Sequence, residues 1–141
     1  MNKTKTVLVC VTPQESSKQL VKSGKAIAEK HGAKLEVISV LPFGQGEYKI
    51  EPQTIENLYQ VAKENGGEMA MYFSDNPILT VCAHIAKRKP ITIVTGFPGE
   101  NSNNFIGTIH LILPDIPISM ADKDGTVYNI LPQEAVQHPV H

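Results

Sequence analysis

The sequence predicts an α/β fold: a mostly parallel β-sheet with helices packed on both of its faces. Three observations carry that prediction. Short β-branched runs, TVLVCV at Thr6–Val11, LEVISVL at Leu35–Leu41 and ITIVT at Ile91–Thr95, are rich in apolar residues, as strands covered on both faces require. They alternate with segments whose apolar residues recur three and four positions apart, the period of a helix with one buried face. Cap and turn residues separate the two kinds of segment. Strands alternating with helices imply βαβ crossovers, hence parallel neighbours. A chain of 141 residues, 41% hydrophobic and 19% charged, suits one domain, expected over residues 5–131 with a loose tail at 132–141.

The first strand, Thr6–Val11, runs into Thr12-Pro13-Gln14-Glu15, which reads as a capping box with proline at the first helical position. Ser16-Ser17-Lys18-Gln19 offers a second box one turn later. The helix that follows aligns Leu20, Gly24, Ile27 and Ala28. His31-Gly32 ends it, the glycine suiting a left-handed C′ position. Leu35–Leu41 is the second strand and Pro42–Gly46 a loop. Ile55, Leu58, Tyr59 and Ala62 form the next helical stripe, closed by Asn65-Gly66-Gly67. Met69–Phe73 is the third strand. Asn76-Pro77 reads as an N-cap with N1 proline, opening a helix whose inner face is Ile78, Cys82, Ile85 and Ala86. Ile91–Thr95 is the fourth strand. Beyond it, either Phe105–Leu113 is a short helix or Thr108–Leu113 is a strand; periodicity does not decide over so few residues. Ile116–Ala121 reads as a strand with Pro117 near its start or on an edge. Asp122-Lys123-Asp124-Gly125 is a turn, and Thr126–Ile130 returns as an antiparallel hairpin partner.

Composition narrows the function. A net charge of -1 gives no electrostatic footprint for nucleic acid or anionic lipid. Lys87-Arg88-Lys89 is the tightest basic cluster, and cations at a helix C-terminus are expected on dipole grounds alone. Cys10 and Cys82 both read as small buried residues rather than a disulfide framework or a zinc site. The N-terminus lacks the long apolar core of a signal peptide, and no apolar run is long enough to cross a bilayer. The expected compartment is the cytoplasm.

The strongest chemical signal is the glycine-rich loop from Gly96-Phe97-Pro98-Gly99 to Gly107-Thr108. A loop leaving a buried strand towards a helix presents backbone N–H groups, and glycine lets that backbone approach phosphate oxygens closely. Asn101, Ser102, Asn103 and Asn104 add neutral donors. The loop matches neither a Walker A sequence, since no Gly-Lys-Ser/Thr follows, nor the GxGxxG dinucleotide fingerprint. The same residues also suit an ordinary surface turn. Ligands on such sheets bind beyond the C-terminal strand ends, near the switch in strand order, which directs attention to the loops after Val11, Leu41 and Thr95. His31 suits a helix C-terminus, His84 a helix flank, and His110 either the ligand loop or an element surface. His138 and His141 lie in the tail. No nucleophile–base–orienter set is apparent, nor a catalytic elbow.

Four stretches together resemble the universal stress protein family, including the related domain of potassium-sensor histidine kinases. They are Val7–Val11 with its serine-containing loop, Ala26-Ile27-Ala28 with Gly32–Leu35 leading into Val37–Val40, Ile85-Ala86 leading to Ile93–Gly96, and Gly99 with Gly107-Thr108. The resemblance covers roughly residues 5 to 121. It implies a five-stranded, flavodoxin-like sheet, here with an extra C-terminal hairpin strand, a homodimer formed through the last strand, and a bound adenine nucleotide, ATP or AMP. The implied nucleotide-binding positions are Cys10, Thr12, Pro13, Val40, Thr95, Gly96, Gly99, Asn101, Gly107 and Thr108. Cys10 and Val40 fall on the adenine side, Thr12 on the ribose side, and Thr95, Gly96, Gly99, Gly107 and Thr108 at the phosphates. There are departures. Family members that bind ATP usually carry Asp where this chain has Thr12. The interval from Gly99 to Gly107 is two residues short of theirs, and Pro98 removes a backbone donor.

Three functions therefore stand against one another. The first is a regulatory nucleotide-binding domain without efficient catalysis. The second is a degenerate dimerisation or protein-interaction module in stress or osmotic signalling, which Thr12, Pro98 and the shortened loop favour. The third, a slow ATP hydrolase, ranks last because no base or metal ligand is apparent.

Overall fold

The computed structural model describes residues 4–12, 17–41, 51–96, 105–122 and 124–130. Their elements alternate along the chain: β1 (Thr6–Cys10), α1 (Ser17–His31), β2 (Lys34–Leu41), α2 (Pro52–Glu64), β3 (Glu68–Phe73), α3 (Pro77–Arg88), β4 (Thr92–Gly96), α4 (Phe105–Ile112), β5 (Ile118–Ala121) and β6 (Val127–Ile130). The strands form one six-stranded sheet in the order β3-β2-β1-β4-β5-β6. The first five strands are parallel neighbours, and β6 runs antiparallel to β5. The expected fold class is therefore observed, with the C-terminal hairpin adding a strand to the five.

Two apolar layers sandwich this sheet. Side chains alternate across a strand, so successive residues of β1 enter opposite layers. Val7 and Val9 join Val21 and Ala28 of α1, Val37 of β2 and Leu58, Val61 and Ala62 of α2. Leu8 joins Ile38, Val81, Cys82 and Ile85 of α3, Ile106 and Ile109 of α4, and Ile118. This division follows from right-handed crossovers. Successive strands move outward from β1 through β2 to β3 with α1 and α2 on one face. The chain then returns past β1 to β4 and β5 with α3 and α4 on the other.

Local chemistry terminates the elements as their residues dictate. Gly32 takes φ +63° and Gly66 φ +74° after α1 and α2, a region costly for any residue with a Cβ. Asn76 caps α3 by accepting from the Leu79 amide at 3.2 Å, with Pro77 at the first helical position. The amide of Lys89, at φ 51°, closes the other end on the Ile85 carbonyl. The described part of α1 opens at Ser17, whose hydroxyl donates to the Thr12 carbonyl. The capping positions Pro13–Ser16 lie outside the described residues.

Several expectations need correction. Tyr59 is exposed and Val61 takes its place in the buried stripe of α2. Ala86 is exposed, and α3 buries Val81, Cys82, His84 and Ile85. In both helices the buried arc is rotated by one or two positions, because it is the underlying strands that choose which apolar neighbours they cover. Cys82 is buried, whereas Cys10 is only partly so. The ambiguous segment is a helix, α4. Pro117 stands immediately before β5, where its carbonyl accepts from the Ile93 amide.

Candidate functional site

Strand order places the switch point between β1 and β4, adjacent and parallel strands whose connections leave in opposite directions. Each helix returns antiparallel to its strand, so α1 and α4 both begin at the C-terminal ends of the strands. At this end Thr12 is exposed just past β1. Gly96 closes β4, half-buried, and a Cβ built there would stand 3.9 Å from the Leu20 side chain of α1. That is ordinary contact, and its φ is not positive, so the described packing does not itself require glycine. Gly125, in the β5–β6 turn, stands beside Gln19 of α1 and does need glycine, with φ +89°. Asp122 ties this turn together by accepting from the amides of Asp124 and Thr126, each at 3.1 Å.

The other candidate positions divide between floor and rim. Cys10 and Val40 are partly buried on the α3–α4 face of the sheet. Burial and the nearby Cys82 push the Cys10 thiol up to about 12, which favours the neutral thiol. Thr95 is buried, and its hydroxyl donates to the Gly96 carbonyl at 3.2 Å. Gly107 and Thr108 fall in the first turn of α4, whose leading amides lack intrahelical acceptors. Pro13, Gly99 and Asn101, with Phe97 and Pro98, lie outside the described residues. His110 sits in the last turn of α4, at the end remote from the Gly96 loop, with its Nδ1 buried and without a hydrogen-bond partner. Among the described residues no group of three His, Cys, Asp or Glu side chains could hold a metal ion.

A second constellation was missed by sequence reasoning. His84 is not on an open flank but buried, and Glu36 is buried in the middle of the sheet's apolar layer. His84 Nε2 lies 3.0 Å from Glu36 Oε1, and Tyr72 Oη lies 2.8 Å from His84 Nδ1. Arg88 Nε approaches the other carboxylate oxygen at 3.7 Å. One turn before His84, the Thr80 hydroxyl donates to Ser74 Oγ at 2.8 Å. Thr80, His84 and Arg88 are spaced four apart, so α3 presents a polar stripe to β2 and β3 beside its apolar one. This is a nucleophile–base–orienter arrangement where none was expected. Two signals were visible: a lone carboxylate inside a mostly apolar strand, and the Thr-x3-His-x3-Arg spacing.

No protein-family model matches the sequence, and no curated protein matches it. Solved structures do. A universal stress protein from Archaeoglobus fulgidus superposes with TM-score 0.61 at 17% identity, over 82% of this chain and 92% of that one. The universal stress protein from Archaeoglobus fulgidus in complex with dAMP gives 0.57 at 16% identity, over 85% and 98%. A universal stress protein in complex with cAMP gives 0.52 at 20% identity, over 74% and 81%. The layout also resembles an enzyme, the 4-carboxy-2-hydroxymuconate hydratase of Pseudomonas putida KT2440, with TM-score 0.61 at 12% identity, over 82% of this chain and 65% of that one. At these identities the likeness is one of fold. The chain has the universal-stress-protein-like α/β fold, extended by an antiparallel C-terminal strand.

Proposed function

We propose that this chain is a regulatory domain of the universal-stress-protein type, spanning residues 5–131, that binds an adenine nucleotide or another phosphate-containing ligand at the C-terminal edge of its sheet. The observation that carries the reading is the switch point between β1 and β4. Both strands end there, beside the first turns of α1 and α4, and open α/β sheets take their ligands at such crevices. Nucleotides in complex with two universal stress proteins of similar fold support the ligand class.

In this reading the base lies beside Cys10 and Val40, and Thr12 with Pro13 flanks the ribose. The phosphates meet Thr95, Gly96, Gly99, Asn101, Gly107 and Thr108. The leading amides of α4, which have no acceptor within the helix, supply donors and a favourable dipole for an anion. Binding stabilises the fold and carries the signal; no bond is broken.

Calorimetric titration with AMP, ATP and cyclic AMP tests this, alongside thermal denaturation. Saturable binding is expected, and Thr108→Glu, which sets a negative charge at the phosphate position, is expected to weaken it by tenfold or more. Failure of all three nucleotides to bind or shift Tm at millimolar concentration overturns the proposal.

A protein-interaction module is the second reading. It draws on the neutral residue at position 12 and on β6, an edge strand with Val127 and Tyr128 exposed. In that reading the chain works in the cytoplasm as a homodimer joined along this edge. Native mass spectrometry separates the two: a nucleotide retained through purification eliminates this alternative.

A further inference from the structure

The Glu36–His84–Tyr72 chain is used by neither reading above. We propose that Tyr72 is a reactive phenol, a site of covalent acylation by an activated ester, with His84 as its base and Glu36 as the residue that positions the base. A carboxylate can only accept, so the ring nitrogen facing Glu36, Nε2, carries the hydrogen. In the neutral ring Nδ1 then keeps its lone pair, and Tyr72 Oη donates to it at 2.8 Å. This is the arrangement that activates hydroxyl nucleophiles: hydroxyl on base, base on carboxylate. Arg88 Nε stands 3.7 Å from the second carboxylate oxygen, so a cation flanks Glu36 on the side away from His84. His84 is buried while Tyr72 remains 38% exposed. The base is thus sheltered, and Tyr72 is the one of the three side chains exposed to solvent. The edge-to-face packing of the two rings, with centroids 5.6 Å apart, holds the pair in place.

The step balances without an added oxidant or metal. Tyr72 Oη attacks the carbonyl carbon of the ester, forming the new Oη–C bond. The ester C–O bond breaks and its electron pair leaves with the alkoxide or phenoxide. The phenol proton passes to His84 Nδ1, and the resulting imidazolium is stabilised by Glu36.

The test uses p-nitrophenyl acetate on the full chain, with the acetylated tyrosines mapped and timed by peptide mass spectrometry. Tyr59 and Tyr128 are internal references, because both are 48% exposed, more than Tyr72. Accessibility alone would favour them. Activation predicts the reverse, with Tyr72 acetylated about a hundredfold faster, the usual contribution of a positioned base. In Glu36→Gln and His84→Gln the Tyr72 rate is expected to fall to that of Tyr59, with the Tyr59 rate unchanged as a check on folding. A Tyr72 rate in the unsubstituted protein less than tenfold above those of Tyr59 and Tyr128 overturns the proposal, whatever the variants do. The readout is acylation of named tyrosines in protein without added nucleotide, so it does not depend on the outcome of the binding titration.

Discussion

Glu36 and His84 are separated by 48 residues in sequence and joined by one hydrogen bond in the apolar layer between sheet and helix. A carboxylate there is tolerable only because His84 and Arg88 satisfy it. Removing one partner strands the other. His84→Leu is expected to lose about 3–5 kcal/mol in urea denaturation, the range for breaking a buried pair. The double variant Glu36→Leu with His84→Leu should recover most of that loss, since no unpaired charge remains; a double variant as unstable as the single one would refute this. Cys10 makes a different prediction at the same scale. Its folded pKa of about 12 lies above the ordinary 9.0. Between these values the unfolded chain releases a proton that the folded chain retains, so rising pH favours unfolding. Stability is fully present below pH 9 and declines above it by about 1.4 kcal/mol per pH unit from this group. Cys10→Ala should flatten that part of the stability–pH curve measured by denaturant titration, and iodoacetamide should leave Cys10 unmodified at neutral pH while the protein is folded.

At Gly24, α1 lies tight against the sheet. A Cβ at position 24 would fall 2.2 Å from Val9 Cγ2, a wholly buried side chain of the central strand. Gly24→Ala, which raises helix propensity, is therefore expected to destabilise by about 1–3 kcal/mol through overpacking. Thermal denaturation checks the sign: a stabilised variant would mean that α1 can withdraw. At α3, Asn76→Ala removes the acceptor for the Leu79 amide and should cost about 1 kcal/mol. Most of the elements could be read from the chain because each signal is local. The β-branched runs, Asn76-Pro77, Gly32 and Asn65-Gly66-Gly67 each act within a few residues. The rotation of the buried arcs towards Val61 and His84, and away from Tyr59 and Ala86, could not be read in the same way, because apolar periodicity marks a broad stripe and the facing strand selects within it.

Across the whole molecule, strand order decides where a ligand can sit. With β1 and β4 side by side, the exposed Thr12, Gly96 and the first turn of α4 come to one end of the sheet from residues far apart in sequence. A nucleotide bound there and not to the unfolded chain stabilises by mass action, about 2.7 kcal/mol at a hundredfold excess over Kd. Hydrogen exchange should show that protection concentrated at the ends of β1 and β4 and little changed at β3. Uniform protection, or none, would place the ligand elsewhere.

Sequence alone was enough for the α/β class, the alternation of elements, the Asn76 cap of α3 and the glycines that follow α1 and α2, the antiparallel return of Thr126–Ile130 and the resemblance to the universal stress proteins. These rest on propensity, periodicity and turn chemistry, which operate between near neighbours. The helical state of Phe105–Ile112, the depth of Glu36 and the joining of Glu36, His84 and Tyr72 emerged with the folded chain. Each depends on how a helix settles on a particular register of strands, as when Glu36 pairs with Leu8 and Glu68 while Tyr72 pairs with Val40. That register is fixed by packing summed over both faces of the sheet, and no single segment carries it.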